Sequence, residues 1–244
     1  MNRPSAALAA ALGAGLVLPA VALATILDVG AGDSDATPSC PARPCLAVPR
    51  TTGYQAKVGT KRAIDVVPQD GRIVAWTISL GDPGKKQIAY FDKMLGGAST
   101  ARITILELRP KLRARVVAQG EPQKLRPYFG HTVQFALRRS LHVKKGMIVA
   151  LTVPTWAPAL QAGLPGDTSW RASRAKGTCD DRLSQSAQTK PGQVAQYYCL
   201  YQYARLTYSA TLVTDPSVAG QAMPPPAPAP PPPAPAPAPK SGRG

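Results

Sequence analysis

The sequence predicts an all-β chain, an antiparallel β-sandwich of jelly-roll type, and three observations carry that prediction. Apolar and polar residues alternate in successive runs between residues 61 and 213, the period of a strand with one buried face. Turn residues punctuate the runs at Pro68 to Gly71, Asp82-Pro83-Gly84, Gly96-Gly97, Arg109-Pro110, Gly120 to Pro122 and Lys145-Gly146. Helical periodicity is almost absent, so the seven or eight predicted strands bury their apolar faces by packing as two sheets.

The chain begins with one charge, Arg3, and the apolar run AALAAALGAGLVLPAVALATIL. This pattern predicts a signal peptide over 1–24, with Ala22-Leu23-Ala24 as the small-x-small cleavage motif and Thr25 as the first mature residue. The alternative is membrane anchoring through an uncleaved segment, since Ala6 to Leu27 is 22 residues long and spans a bilayer if retained. Weak hydrophobicity and Pro19 favour removal. Residues 25–45 are Gly, Asp, Ser, Pro and Ala without periodicity, and are expected to form an exposed leader pinned by its cysteines.

A β-sandwich domain is expected over 46–218. Its strands are predicted at Lys61 to Val67, at RIVAWTISL (72–80, with Val74, Trp76, Ile78 and Leu80 on one face), at Arg102 to Leu108 and at Arg113 to Gln119. Three more follow at HTVQFAL (131–137, with Val133, Phe135 and Leu137 on one face), at Met147 to Val153, and at Cys199 to Val213, read as one long strand. IAYFDKML at 88–95 is the one place where a short helix fits. Residues 155–195, rich in Pro and Gly, read as a long irregular excursion, a feature that is uncommon in a compact domain unless stapled or functional. Residues 219–244 form a Pro/Ala-rich tail; its stretch 224–239 contains 11 prolines and no other residue than alanine, which predicts a disordered, extended polyproline segment.

The four cysteines, Cys40, Cys45, Cys179 and Cys199, fit an exported protein with disulfides. They allow three connectivities, of which pairing within each close pair is the simplest. Their spacing does not suit zinc and no histidine lies near them.

Most catalytic chemistries find few residues here. Histidine occurs only at 131 and 142, and glutamate only at Glu107 and Glu121; no G-x-S-x-G, phosphate loop or dinucleotide fingerprint is present. Asp180-Asp181 is the one adjacent acidic pair. No catalytic residue, cofactor or metal is therefore expected.

Charge is the strongest remaining signal. The formal net charge is +16, from 29 Lys and Arg against 13 Asp and Glu. Residues 50–150 hold 19 basic against 6 acidic residues, a net of +13. The pairs Lys61-Arg62, Lys85-Lys86, Arg138-Arg139 and Lys144-Lys145, with Arg113 and Arg115, are the expected contacts for an anionic cell-wall polymer or an anionic lipid surface. Nucleic acid fits less well, because aromatics are scattered among these bases instead of interleaved with them. Tyr201, Tyr203 and Arg205 in YYCLYQYARLTY are expected on one face of the last strand, as an aromatic strip with a cation or, if covered by the 155–195 excursion with Trp156 and Trp170, as a satellite core.

The segments CLAVPRTTGYQ, GRIVAWTISL, GHTVQFALRRSL, GMIVALTVPTWAPAL and WRASR, followed by a cysteine pair and ARLTYSATLV, resemble a group of secreted proteins of high-GC actinobacteria to which no activity is assigned. The resemblance covers about residues 45 to 213. It implies an exported β-sandwich and transfers no functional residue. The expectation is an exported, non-catalytic binding or structural module at the cell envelope. An extracellular carbohydrate-active or hydrolytic protein using residues 155–200 is the first alternative, and an extracellular nucleic-acid binder the second.

Overall fold

The computed structural model describes residues 24–31, 36–180 and 185–216. The signal peptide expected over 1–24 falls outside them except for Ala24, as does the Pro/Ala tail. In chain order the elements are β1 (Ile26–Val29), β2 (Val48–Val58), β3 (Lys61–Arg62), β4 (Gly71–Ser79), α1 (Lys85–Met94), β5 (Thr100–Arg109), β6 (Arg113–Gln119), β7 (Gln123–Lys124), a 3-10 turn at Arg126–Tyr128, β8 (Thr132–Val143) and β9 (Ile148–Ala157). They continue with β10 (Leu160–Ala162), β11 (Ser169–Ala172), β12 (Val194–Gln196), β13 (Cys199–Gln202), β14 (Ala204–Leu206) and β15 (Tyr208–Thr214).

Eight of these strands make a jelly roll. Antiparallel pairs nest inside one another along the chain: β5 with β6, β4 with β8, β2 with β9, and β1 with β15. The result is one long hairpin, rolled so that successive pairs alternate between two sheets. Pairing of β15 with β4 closes the smaller sheet in the order β1-β15-β4-β8, and pairing of β5 with β9 closes the larger one, which β11 and β13 extend beyond β2 and β12 extends beyond β6.

The core lies between the sheets. Ile73, Trp76 and Ile78 of β4, with Tyr208, Ala210 and Leu212 of β15, face Ile103 and Ile105 of β5 and Val149, Leu151 and Val153 of β9. Alternation in β4 is interrupted once. The register shifts between Thr211 and Leu212 of β15, opposite which Val74 is the extra residue, and Ile73, not Val74, faces the core.

Four sequence expectations change. The exposed-leader reading of 25–45 is corrected for its first residues: Ile26 to Val29 pair with Val213 to Ala210, and Val29 is buried. β2 was absent from the predicted strands, because Pro49 and Gly53 interrupt its pattern. The strand predicted at Lys61 to Val67 shrinks to the two residues of β3, since Ala63 takes a left-handed φ of 57° and turns the chain. The single strand predicted at Cys199 to Val213 is three strands. Tyr203, at φ 61°, breaks it, so β13 joins β11 in the large sheet, β14 pairs with β10, and β15 enters the small sheet. Its apolar face is nonetheless as predicted, with Ala204, Leu206, Tyr208, Ala210 and Leu212 all buried.

The excursion after β11 is a cover. It lies over the outer face of the large sheet, where Leu106, Val116, Ile148, Ala150 and Tyr197 form a second apolar cluster. Beneath it Thr104, Thr152 and Thr52 form a hydroxyl chain with links of 2.6 and 2.9 Å, and the Gln188 backbone N–H donates to Thr52 Oγ1 at 3.1 Å. Disulfides join Cys40 to Cys45 and Cys179 to Cys199, the local pairing; the second staples the cover to β13. A crosslink closing a loop of this size stabilises by roughly 3 kcal/mol through the unfolded chain. At one end of the roll α1 packs Phe91 and Leu95 on Trp156, so Trp156 is not among the tyrosines.

Candidate ligand-binding site

The short ribbon of β10 and β14 borders two cavities. Gln161 stands directly opposite Arg205 in its register, and Leu160 opposite Leu206. Alternation along the ribbon sends Gln161 and Arg205 to one side and Leu160 and Ala204 to the other.

On the first side is an open cavity of about 360 Å³. Gln161, Arg205, Asp167 and Thr168 line it, with the turn Gly59-Thr60 and Lys61 at its margin. Its outer wall is the loop after β10. Tyr203 holds that loop: its N–H donates to the Thr168 carbonyl at 2.9 Å, and its carbonyl accepts from the Leu164 N–H at 3.0 Å. The Tyr203 ring lies over Gly166, where an added Cβ would stand 3.2 Å from the ring. Asp167 Oδ1 accepts a long bond of 3.5 Å from the Thr168 hydroxyl.

Arg205 is the unusual group. It is 4% exposed, its Nε has no hydrogen-bond partner, and no ion pair found among the described residues involves it. Burial lowers its pKa, and the charge of Asp65 opposes that shift. Asp65 itself is 1% exposed, with Oδ2 accepting from the Gln55 N–H at 2.5 Å and 2.9 Å from the Tyr208 hydroxyl. Burial pushes its carboxyl up to about 7, against the lowering influence of those two donors and of Arg205. A buried guanidinium without a bound carboxylate is costly. At the wall of an open cavity it is a ready donor fork for an incoming oxyanion.

The second cavity, about 240 Å³, lies on the Leu160 and Ala204 side. Trp170 and Tyr201 pack there with ring centroids 4.8 Å apart, and Arg174, 2% exposed, donates to the Tyr201 hydroxyl and to the Pro49 carbonyl. The Tyr201 hydroxyl donates in turn to the Cys179 carbonyl at 2.6 Å.

The expected strip of Tyr201, Tyr203 and Arg205 is thereby corrected. The break at Tyr203 sends Tyr201 to Trp170, leaves Tyr203 exposed, and turns Arg205 into the first cavity. The expected basic contacts are spread over the molecule. Lys144 and Lys145 sit in the turn after β8, whereas Lys85 and Lys86 begin α1, beyond the end of β4 that pairs with the start of β8. The nine residues of β4 pair along the whole of β8, whose middle bulges, so those ends lie about 26 Å apart. Lys61 and Arg62 form β3, Arg139 is exposed on β8, and Arg138, also there, pairs with Glu121 at 3.4 Å. Arg113 closes the β5–β6 hairpin, and Arg115 donates from Nε and Nη2 to Glu107 at 3.0 and 2.7 Å, holding that carboxyl below its ordinary range.

Neither glutamate meets a histidine: His131 precedes β8 and His142 lies near its far end. Asp180 is exposed, and Asp181 is outside the described residues. No three His, Cys, Asp or Glu side chains converge among the described residues. Sequence reasoning missed Gln161, Asp167 and Asp65. The available signal was Arg205 itself, a charge between two apolar residues in a strand-like run.

The fold and site describe a disulfide-stapled jelly roll with an Arg205-lined cavity beside the β10–β14 ribbon. Comparison of the chain with family models, with curated proteins and with solved structures finds no match.

Proposed function

We propose that this protein is an exported, non-catalytic module that holds an anionic polymer of the cell envelope, gripping its charged groups at the Arg205 cavity. The observation that carries the reading is the buried Arg205 guanidinium, without hydrogen-bond partner at Nε and without ion pair among the described residues, at the wall of a cavity open to solvent. The two disulfides fit the oxidising compartment that export implies. The net charge of +16 supplies long-range attraction, which salt screens; the cavity supplies local capture, which salt screens less.

Sedimentation with purified cell-wall polymer over a salt series tests this. The expected result is retention at low salt that persists in part near physiological ionic strength, with Arg205→Gln reducing the persistent part about tenfold, the equivalent of one charge-assisted contact. A Lys144→Gln/Lys145→Gln variant is expected to change only the salt-sensitive part. Wild-type retention by a folded Arg205→Gln protein overturns the reading.

A further inference from the structure

The charges around Arg205 restrict what it can hold. Asp167 is half-buried and lines the same cavity, and the buried Asp65 is near enough for its charge to act on the guanidinium. Lys61 stands at the margin on the exposed β3, where solvent screens it more than the buried groups. A dianion entering the cavity meets one buried cation and a carboxylate beside it. A monoanion balances Arg205 and meets half that repulsion.

Asp167 is also an acceptor. An ionised carboxylate accepts hydrogen bonds and donates none, so beside an oxyanion site it suits a ligand carrying hydroxyl donors. Gln161, opposite Arg205, offers both donor and acceptor, and Thr168 adds a hydroxyl. Ile64 and Leu164 give the cavity an apolar strip that suits the C–H face of a ring. A volume of about 360 Å³ is near the lower end of small-molecule sites, about 300–1,000 Å³, which leaves room for one six-membered ring with its substituents.

Resting on the reading of this module as an oxyanion binder, we propose that the Arg205 cavity is a subsite for one hydroxylated monocarboxylate unit, an acidic sugar residue, in preference to a phosphate. Arg205 receives the carboxylate on its fork, and Asp167 and Gln161 receive the ring hydroxyls.

Calorimetric titration of the full chain with D-glucuronate, D-glucose, glucose 6-phosphate and inorganic phosphate tests the assignment. Glucuronate is expected to bind at least about tenfold more tightly than each of the other three. Arg205→Gln is expected to remove that preference; Arg205→Lys, which keeps the charge and loses the fork, serves if the glutamine variant fails to fold, and is expected to lose about tenfold. Asp167→Asn is expected to weaken glucuronate and strengthen phosphate, narrowing their ratio by about tenfold or more. Phosphate bound as tightly as glucuronate, with Asp167→Asn changing neither, overturns the acidic-sugar assignment and leaves oxyanion binding standing. Absence of binding by both anions to the folded protein overturns the assignment and the reading beneath it.

Discussion

Asp65 shows how one residue's environment sets a property of the protein. The Tyr208 hydroxyl has one proton and two acceptors at 2.9 Å, Asp65 Oδ2 and the Val149 carbonyl. A protonated Asp65 resolves the competition by donating to Tyr208, which then donates to Val149; this agrees with a carboxyl pushed up to about 7. The consequence for stability has a definite sign. Between the unfolded value of 3.8 and about 7 the folded chain holds a proton that the unfolded chain has released, so Asp65's contribution falls as pH rises through that window and is level above it. The span corresponds to on the order of 4 kcal/mol. Asp65→Asn keeps the shape and removes the titration. Urea unfolding at pH 5 and pH 8 is expected to show wild type losing ground to Asp65→Asn at the higher pH. An equal gap at both values sinks the assignment. Nothing in KRAIDVVP marks this residue, because its partners come from β2, β14 and β15, between 10 and 143 positions away.

Elements were legible where a period of two met an amphipathic environment. β5, β6 and the apolar face of residues 204–212 follow that pattern, and β9, buried on both faces, was legible from its apolar, β-branched run instead. β2 was hidden because Pro49 and Gly53 interrupt its run and threonines stand where alternating apolar residues would be looked for. The site's ribbon was hidden for a different reason. Tyr203 interrupts the strand by a local left-handed backbone conformation that leaves the apolar alternation intact, so the pattern reads straight through the break. Glycine at the start of β4 is a third case, set by close approach between strands. A Cβ at Gly71 would stand 2.3 Å from the Val213 carbonyl oxygen and 2.8 Å from Thr214 Cα, both backbone atoms. Gly71→Ala is therefore expected to force β4 away from β15 and to cost roughly 2–4 kcal/mol, read as a lower urea midpoint with an unchanged slope. A midpoint within error of wild type removes the idea that this approach is tight.

At the scale of the molecule, the closing strand of the roll comes from the segment that sequence reasoning placed outside it. β1 gives β15 its second neighbour, buries Val29 against the core, and is tied at its start by reciprocal bonds in which the Thr25 N–H donates to Thr214 Oγ1 and the Thr214 N–H donates to the Thr25 carbonyl, each at 2.9 Å. Without β1, residues 210–213 of β15 become an open edge, with unpaired backbone groups beside an uncovered core, a template for pairing with other chains. A chain beginning at Thr25 keeps the bonds to Thr214 and all of β1. Two versions of the chain, one beginning at Thr25 and the other at Ala31, separate the outcomes. The first is expected to melt cooperatively as a monomer. The second is expected to lose several kcal/mol or to associate through β15, as read by thermal unfolding and by light scattering. Equal melting temperatures and equal mass for the two would show that β1 contributes nothing to closing the roll.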